Sequence, residues 1–313
     1  MSISSQVGKY TGKPIKLYRF LSKDKVLFAL TIGPALLLFA FINIVPIFWA
    51  FAASFHEIGI YSPEWTWIGL EGYRQVLADP DFWSSLSKAT IFAVSSTIFQ
   101  LIVGVGLALL VNKSFKFANV ARSIIMIPYL IPAAVLGFLG LWMGNSSWGV
   151  INSILFQVGL IENYIPWFGS PDWAMPAVVL TSSWRVSIFV TIMVLARLQS
   201  IPDGLYEAAE VAGASSWRKF RDITLPNLKG VIFIVVLLRG VWMFNKFDII
   251  FVLTRGGPGG ATTTTPIHAY NTMFGTGNIG ETAVISVMLF SMIATAAILY
   301  FWILEPSEEV RVE

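Results

Sequence analysis

The sequence predicts an all-α membrane protein: six transmembrane helices carrying a cytosolic helix-turn-helix. Three observations predict it. The chain of 313 residues is 56% hydrophobic and 12% charged, with a mean hydropathy of +0.71; a soluble domain carries about 25% charged residues. Its apolar residues gather into repeated runs of about 20, which a soluble fold cannot hide. Between two of these runs lies a polar, amphipathic island, residues 207–226, reading EAAEVAGASSWRKFRDITLP.

Taken in order, the spans fall at roughly 26–55, 86–111, 120–143, 174–198, 230–254 and 282–304. Each can cross a hydrocarbon core of about 30 Å at about 1.5 Å per residue. Helix is the state that satisfies every backbone group within such a segment. Pro34, Pro46, Pro128 and Pro132 lie inside spans, where they kink helices and free carbonyls. Residues 61–83 read as short interfacial structure. Trp148, Trp167 and Trp173 mark the 144–173 segment as part of an interfacial belt. The loop RGGPGGATTTTP at 255–266 is predicted not to be helical.

Basic residues set the orientation. Lys9, Lys13, Lys16, Arg19, Lys23 and Lys25 crowd the start of the chain; Lys113, Lys116 and Arg122 follow the second span. Arg197, Arg218, Lys219, Arg221 and Lys229 surround the island, while the alternate loops are nearly empty of cations. Both termini and the island are therefore expected in the cytosol. The chain divides into a basic tail (1–25), a first span with an outer segment (26–85), a five-helix core (86–304) holding the 200–228 loop, and a short tail (305–313). No cleavable signal is expected, because the first apolar run is too long for a signal-peptide core.

Some chemistry is excluded. There are no cysteines, so disulfides, thiolate metal sites and cysteine nucleophiles are absent. His56 and His268 have no clustered carboxylates, so no metal site is expected. No nucleic-acid partner is expected either. The phosphate-cradling pattern G-x-x-x-x-G-K-[ST] occurs nowhere.

Within the island, Pro202 suits a first helical turn, with Ser200 or Asp203 as caps. Leu205 to Ala212 reads as about two turns, with Ala208, Ala209 and Ala212 forming a small face that another surface can approach closely. Gly213 fits a helix-ending position with positive φ. Ser215 or Ser216 can cap a second short helix with Trp217, Phe220 and Ile223 or Thr224 on one face, ended by Leu225-Pro226. The plain alternative is a connector resting on the membrane, but a lipid-embedded face would carry Leu, Phe and Trp where this one carries Ala.

The island resembles the EAA loop of importer permeases of the ATP-binding-cassette class: Glu207-Ala208-Ala209, Gly213-Ala214, Phe220, Ile223 and Leu225-Pro226. Ala212 stands where the family usually has Asp, and Gly230 where Pro is common. GLEGYRQVLADPDFW at 69–83, the Arg122 and Pro128 region and FNKFDIIFVLTRGGP at 244–258 with the Thr run after it are similar to carbohydrate permeases of the maltose or glycerol-phosphate type; the last of these resembles the first of the two permeases in such systems. The resemblance implies a non-catalytic permease of a binding-protein-dependent sugar importer in the cell membrane, working by alternating access. It implies a second homologous permease, two cytosolic ATPase subunits that hold ATP and Mg, and an external solute-binding protein. This chain would bind no cofactor. The island would be the coupling helix, with Glu207, Ala208, Ala209, Gly213, Ala214, Leu225 and Pro226 meeting the ATPase.

Ionisable residues inside spans are costly, and so are candidates for function. Arg239, Trp242, Met243 and Lys246 share one face of the fifth span by spacing, with Asn245 beside them; Arg185 and Phe189 share a face of the fourth. Rings to stack on a sugar and donors for its hydroxyls are the mix a carbohydrate path needs. Ion pairing within the bundle is the plainer alternative, above all for Asp248. The cations also raise an anionic solute, such as a phosphorylated polyol, as a side possibility. The main rival is an ion-coupled secondary transporter, which would need buried coupling carboxylates and gives the island no purpose. An intramembrane enzyme would need clustered catalytic groups in the spans, and none is evident.

Overall fold

The computed structural model describes residue 28 and residues 30–113 and 116–304. The predicted tails 1–25 and 305–313 lie outside the described residues.

Helix α1, Gly33–Ala53, carries a π turn at Ala40–Ile44 and Pro46 just beyond it. A two-stranded antiparallel ribbon follows, β1 (His56–Glu57) against β2 (Thr66–Trp67), then α2, Glu71–Ala78. Helix α3, Pro80–Asn112, begins inside the segment read from sequence as an outer loop. Asp79 caps it by accepting from the Asp81 amide at 2.9 Å, and Pro80 opens it.

The third span is not one helix. Helix α4, Ala118–Met126, tightens into a 3-10 turn, Ile127–Leu130; α5, Ala133–Met143, then leaves at 92°. Pro128 and Pro132 bracket the break, and the extended backbone of Ile131 forms it. Helix α6, Val150–Gln157, lies in the Trp-bearing segment. Helix α7, Pro171–Gln199, is the fourth span.

Helix α8, Asp203–Val211, is the first half of the island. The second half does not stop at Leu225-Pro226. It runs unbroken into the fifth span as α9, Ser216–Phe244. A π turn at Phe220–Thr224 precedes Pro226 and accommodates its ring and missing N–H. The predicted 230–254 span is also interrupted: α9 ends at Phe244 and a separate α10 spans Asp248–Thr254. At the break the Asn245 amide turns back to the Val241 carbonyl at 3.1 Å, taking an acceptor beside the helix ladder.

The Gly/Pro/Thr loop is non-helical through Thr264. Thr265 and Pro266 instead open α11, Thr265–Asn271, because Pro suits a first turn. Helix α12, Ile279–Leu304, ends the described chain.

The core is a bundle of α3, α7 and α9 with α5 and α10 packed beside it. One apolar cluster joins Phe92, Leu136, Val178, Met243, Ile249, Ile250 and Ile267; a second joins Ala108, Val190, Val194, Leu228 and Val235. At the α3–α7 crossing a Cβ on Gly104 would lie 2.5 Å from Val190 Cβ and 2.7 Å from the Ser187 carbonyl oxygen. Thr191 Oγ1 also donates to the Gly104 carbonyl at 3.2 Å. Small residues let membrane helices approach this closely. Gly104→Val is therefore expected to lower the thermal midpoint of the detergent-purified protein, at about 1–3 kcal/mol of overpacking. An unchanged midpoint would mean that the crossing is loose.

Candidate functional site

Two places hold the residues singled out from sequence. The first is a cavity of about 330 Å³ beside the α9 break, lined by Tyr129, Arg185, Val186, Arg239, Trp242, Met243 and Lys246. Four predicted pathway residues of α9 and its end meet Arg185 of α7 there. Lys246 reaches the cavity from the loop just past the helix, not from the helix face.

Each cation has its own support. Arg185 Nη1 donates to the carbonyls of Tyr129 at 3.2 Å and Ile131 at 2.9 Å, the carbonyls at the Pro-bracketed break. Arg239 is only 3% exposed. Its Nε donates to Gln100 Oε1 at 2.6 Å, and its guanidinium lies 5.3 Å from the Trp242 ring and 5.9 Å from the Phe189 ring. Those rings meet edge-to-face at 5.5 Å, so Phe189 backs the wall formed by Trp242. Gln100 is fully buried and turns its amide to Ser183 Oγ and Met243 Sδ, each at 3.4 Å. Lys246 pairs with Asp248 at 2.9 Å, the ion pair considered for Asp248 from sequence.

Asn245 is the exception. It lines a different cavity, of about 610 Å³, between the α9 end, α11 and α12. Four residues after Val241, which lines the same cavity, it falls on a different side of the helix from Arg239. Sequence spacing missed Gln100 and Tyr129. Gln100 left a signal, a large amide in the middle of an apolar run; Tyr129 left none, because only the bend of the third span brings it here.

The second place is the helical hairpin of α8 and the start of α9. Gly213 has φ +77°, its N–H donates to the Glu210 carbonyl at 2.9 Å, and Ala214 N–H reaches the Ala209 carbonyl at 2.9 Å. This paired closure is the Schellman ending that favours glycine. Ser215 caps the next helix by accepting from the Arg218 amide at 3.3 Å. Neither Ser200 nor Asp203 caps α8; Pro202 occupies the capping position, and Ser200 donates to the Arg197 carbonyl instead. The halves are clasped by Lys219 on Glu210 and by Tyr206 on Thr224 at 3.0 Å. The Lys219 hydrogen bond and charge hold the Glu210 carboxyl below its usual range, which keeps it ionised.

Ala209, Ala212 and Ala214 line a groove of about 230 Å³ with Arg218, Lys219, Asp222 and Ile223; Ala208 is exposed beyond it. Glu207, also exposed, lines a polar cavity of about 560 Å³ with Arg122, Asp203, Tyr206 and Glu210. Leu225 and Pro226 are interior to α9, so they join the hairpin to the bundle and do not terminate it.

A family model described as a binding-protein-dependent transport system inner membrane component matches residues 100–306. The chain belongs to this family. It is 36% identical over 271 residues to the trehalose/maltose transport system permease protein MalF of Thermococcus litoralis, covering 87% of this chain and 91% of that one. It is 33% identical over 287 residues to the sulfoquinovosyl glycerol transport system permease protein SmoG of Agrobacterium fabrum, covering 91% and 92%. Its fold matches a bacterial ABC transporter involved in the import of the acidic polysaccharide alginate, with a TM-score of 0.80, 20% identity, and 94% and 100% of the two chains covered. This permease is thus a multi-span membrane component of an ABC importer, and the ion-coupled reading is set aside.

Proposed function

We propose that this permease passes a sugar or sugar-like solute along the cavity of Arg185, Arg239, Trp242, Met243 and Lys246, and that the α8–α9 hairpin receives the motion of a separate ATPase. The observation that carries the first part is the pairing of ring faces with donors on one wall. Trp242, 45% exposed, and Tyr129 offer flat apolar faces, and Arg185 and Lys246 stand beside them. Sugars present C–H faces to rings and hydroxyls to donors. The names of the relatives support a carbohydrate: one carries trehalose/maltose in its name, another sulfoquinovosyl glycerol, and the fold neighbour imports an acidic polysaccharide. Those cargoes leave the charge of the solute open.

The chain has no nucleotide-cradling motif, so ATP and Mg belong on two cytosolic ATPase subunits. An external binding protein delivers the solute, as the family description implies. A second, homologous permease completes the pathway, because this chain offers only half a wall. The cation-rich loops support a cytosolic position for the hairpin and both termini. ATP-driven closure of the ATPases would move α9 through its continuity with the hairpin, alternately opening the cavity to each side.

Trp242→Ala is expected to reduce solute uptake about tenfold while copurification with the ATPase persists. Uptake in sealed vesicles reads this directly; unchanged kinetics would remove the α9 face from the pathway.

A further inference from the structure

The charges around the cavity do not cancel. Arg185, Arg239 and Lys246 all stand on its wall, and of the three only Lys246 has a carboxylate in ion-pair contact, Asp248. Arg185 is oriented by backbone carbonyls, and its Nε is buried with no hydrogen-bond partner. Arg239 is held by a neutral amide and two ring faces. Carbonyls, amides and rings orient a guanidinium without supplying a full negative charge. Among the described residues neither arginine has an ion pair, so two positive charges in the bundle stay uncompensated.

Such an excess is expensive in a membrane interior unless something negative completes it. Folding alone does not call for it, because carbonyl-capping and ring-stacking could be done by neutral donors. We propose that the cavity is built for an anionic carbohydrate: a sugar or polyol bearing a carboxylate, sulfonate or phosphate. The anionic group sits between Arg185 and Lys246, and the ring C–H face lies on Trp242. Arg239 contributes from behind that ring, through its field in a low dielectric. Asp248, half exposed, competes with the cargo for Lys246 and keeps binding weak enough for release. The inference rests on the cavity being the sugar path and narrows its substrate class.

The test uses the assembled transporter without its binding protein, so that delivery cannot impose its own selectivity. Tryptophan fluorescence is titrated with glucose and with glucuronate, which differ by one carboxylate. Glucuronate is expected to bind about tenfold tighter, the scale of one charge-assisted hydrogen bond. Lys246→Gln and Arg185→Gln should each remove most of that preference, weakening glucuronate binding far more than glucose binding, which loses only a hydroxyl contact. Asp248→Asn, by releasing Lys246, should widen it; a merely structural ion pair would not move in that direction. Should Arg185→Gln fail to assemble, because it holds the α4–α5 break, Lys246→Gln at its loop position decides. Equal binding of the two sugars, lost together in Trp242→Ala, overturns the charge assignment and keeps the sugar path; a carboxylate from the second permease would give that result. A preference for glucuronate that survives both cation variants also overturns it. If neither sugar binds the unsubstituted transporter, the sugar path itself falls.

Discussion

Gly213→Pro is expected to abolish ATP-driven uptake while leaving the membrane bundle folded. The position has φ +77°, and proline is fixed near −65°. Its N–H, which closes onto the Glu210 carbonyl at 2.9 Å, would be lost as well. Together these set a penalty of about 3 kcal/mol or more on the hairpin turn, about a hundredfold against the competent shape. The bundle should tolerate the change because α8 has no buried residue and nothing lies within 4 Å of a Cβ built at Gly213. Gly213→Ala meets only the left-handed backbone strain, about 1–2 kcal/mol, and should give a partial loss. Glu207→Ala removes an exposed charge from α8 of the hairpin and should weaken ATPase capture without altering the turn. ATPase copurification and vesicle uptake read the three variants. If Gly213→Pro and Glu207→Ala both retain the ATPase and full uptake, the hairpin is not the contact.

Much of this site was legible in the sequence, for reasons that can be stated residue by residue. Gly213 stood out because glycine after a short amphipathic run is a helix-ending signal, and it takes that conformation. Arg185, Arg239, Trp242 and Met243 could be gathered because α7 and α9 keep helical spacing across them. Lys246 was placed by extending α9 through the break at Phe244, and it lines the cavity from the loop beyond. Asn245 was ambiguous from sequence; with Val241, four residues before it, it lines another cavity. Pro128 and Pro132 announced a kink, but at the 92° turn the freed carbonyls accept from an arginine of another helix, which sequence spacing does not mark. Leu225-Pro226 looked like a stop, since proline usually is one. The π turn before it, which no composition signal marks, lets the island and the fifth span become one rod. On the proposed coupling, that continuity would carry a push on the hairpin to Arg239 along a single helix.

Gln100 and Arg239 are expected to show opposite outcomes for stability and transport. Gln100→Leu leaves the Arg239 Nε buried without its 2.6 Å acceptor, a loss of about 3 kcal/mol, the upper range for an unsatisfied buried donor because the group is charged. Arg239→Met leaves the Gln100 carbonyl without its donor, a smaller loss of about 1–3 kcal/mol. The double variant removes both polar groups and fills the space with apolar atoms, so its thermal midpoint should recover beyond that of Gln100→Leu alone and approach the unsubstituted protein. Uptake should not recover with it. The charge that Arg239 sets behind Trp242 and Phe189 is gone in the double variant, although the helices pack well. Thermal unfolding in detergent and vesicle uptake, measured on all four proteins, separate the two roles. Recovery of transport along with stability would make the pair a packing device only. A double variant no more stable than Gln100→Leu would mean that the two groups are not coupled. A buried guanidinium held by a neutral amide and two ring faces is weak glue compared with a well-packed Leu–Met pair, so on the proposed path its place at the cavity wall serves the solute and not the fold.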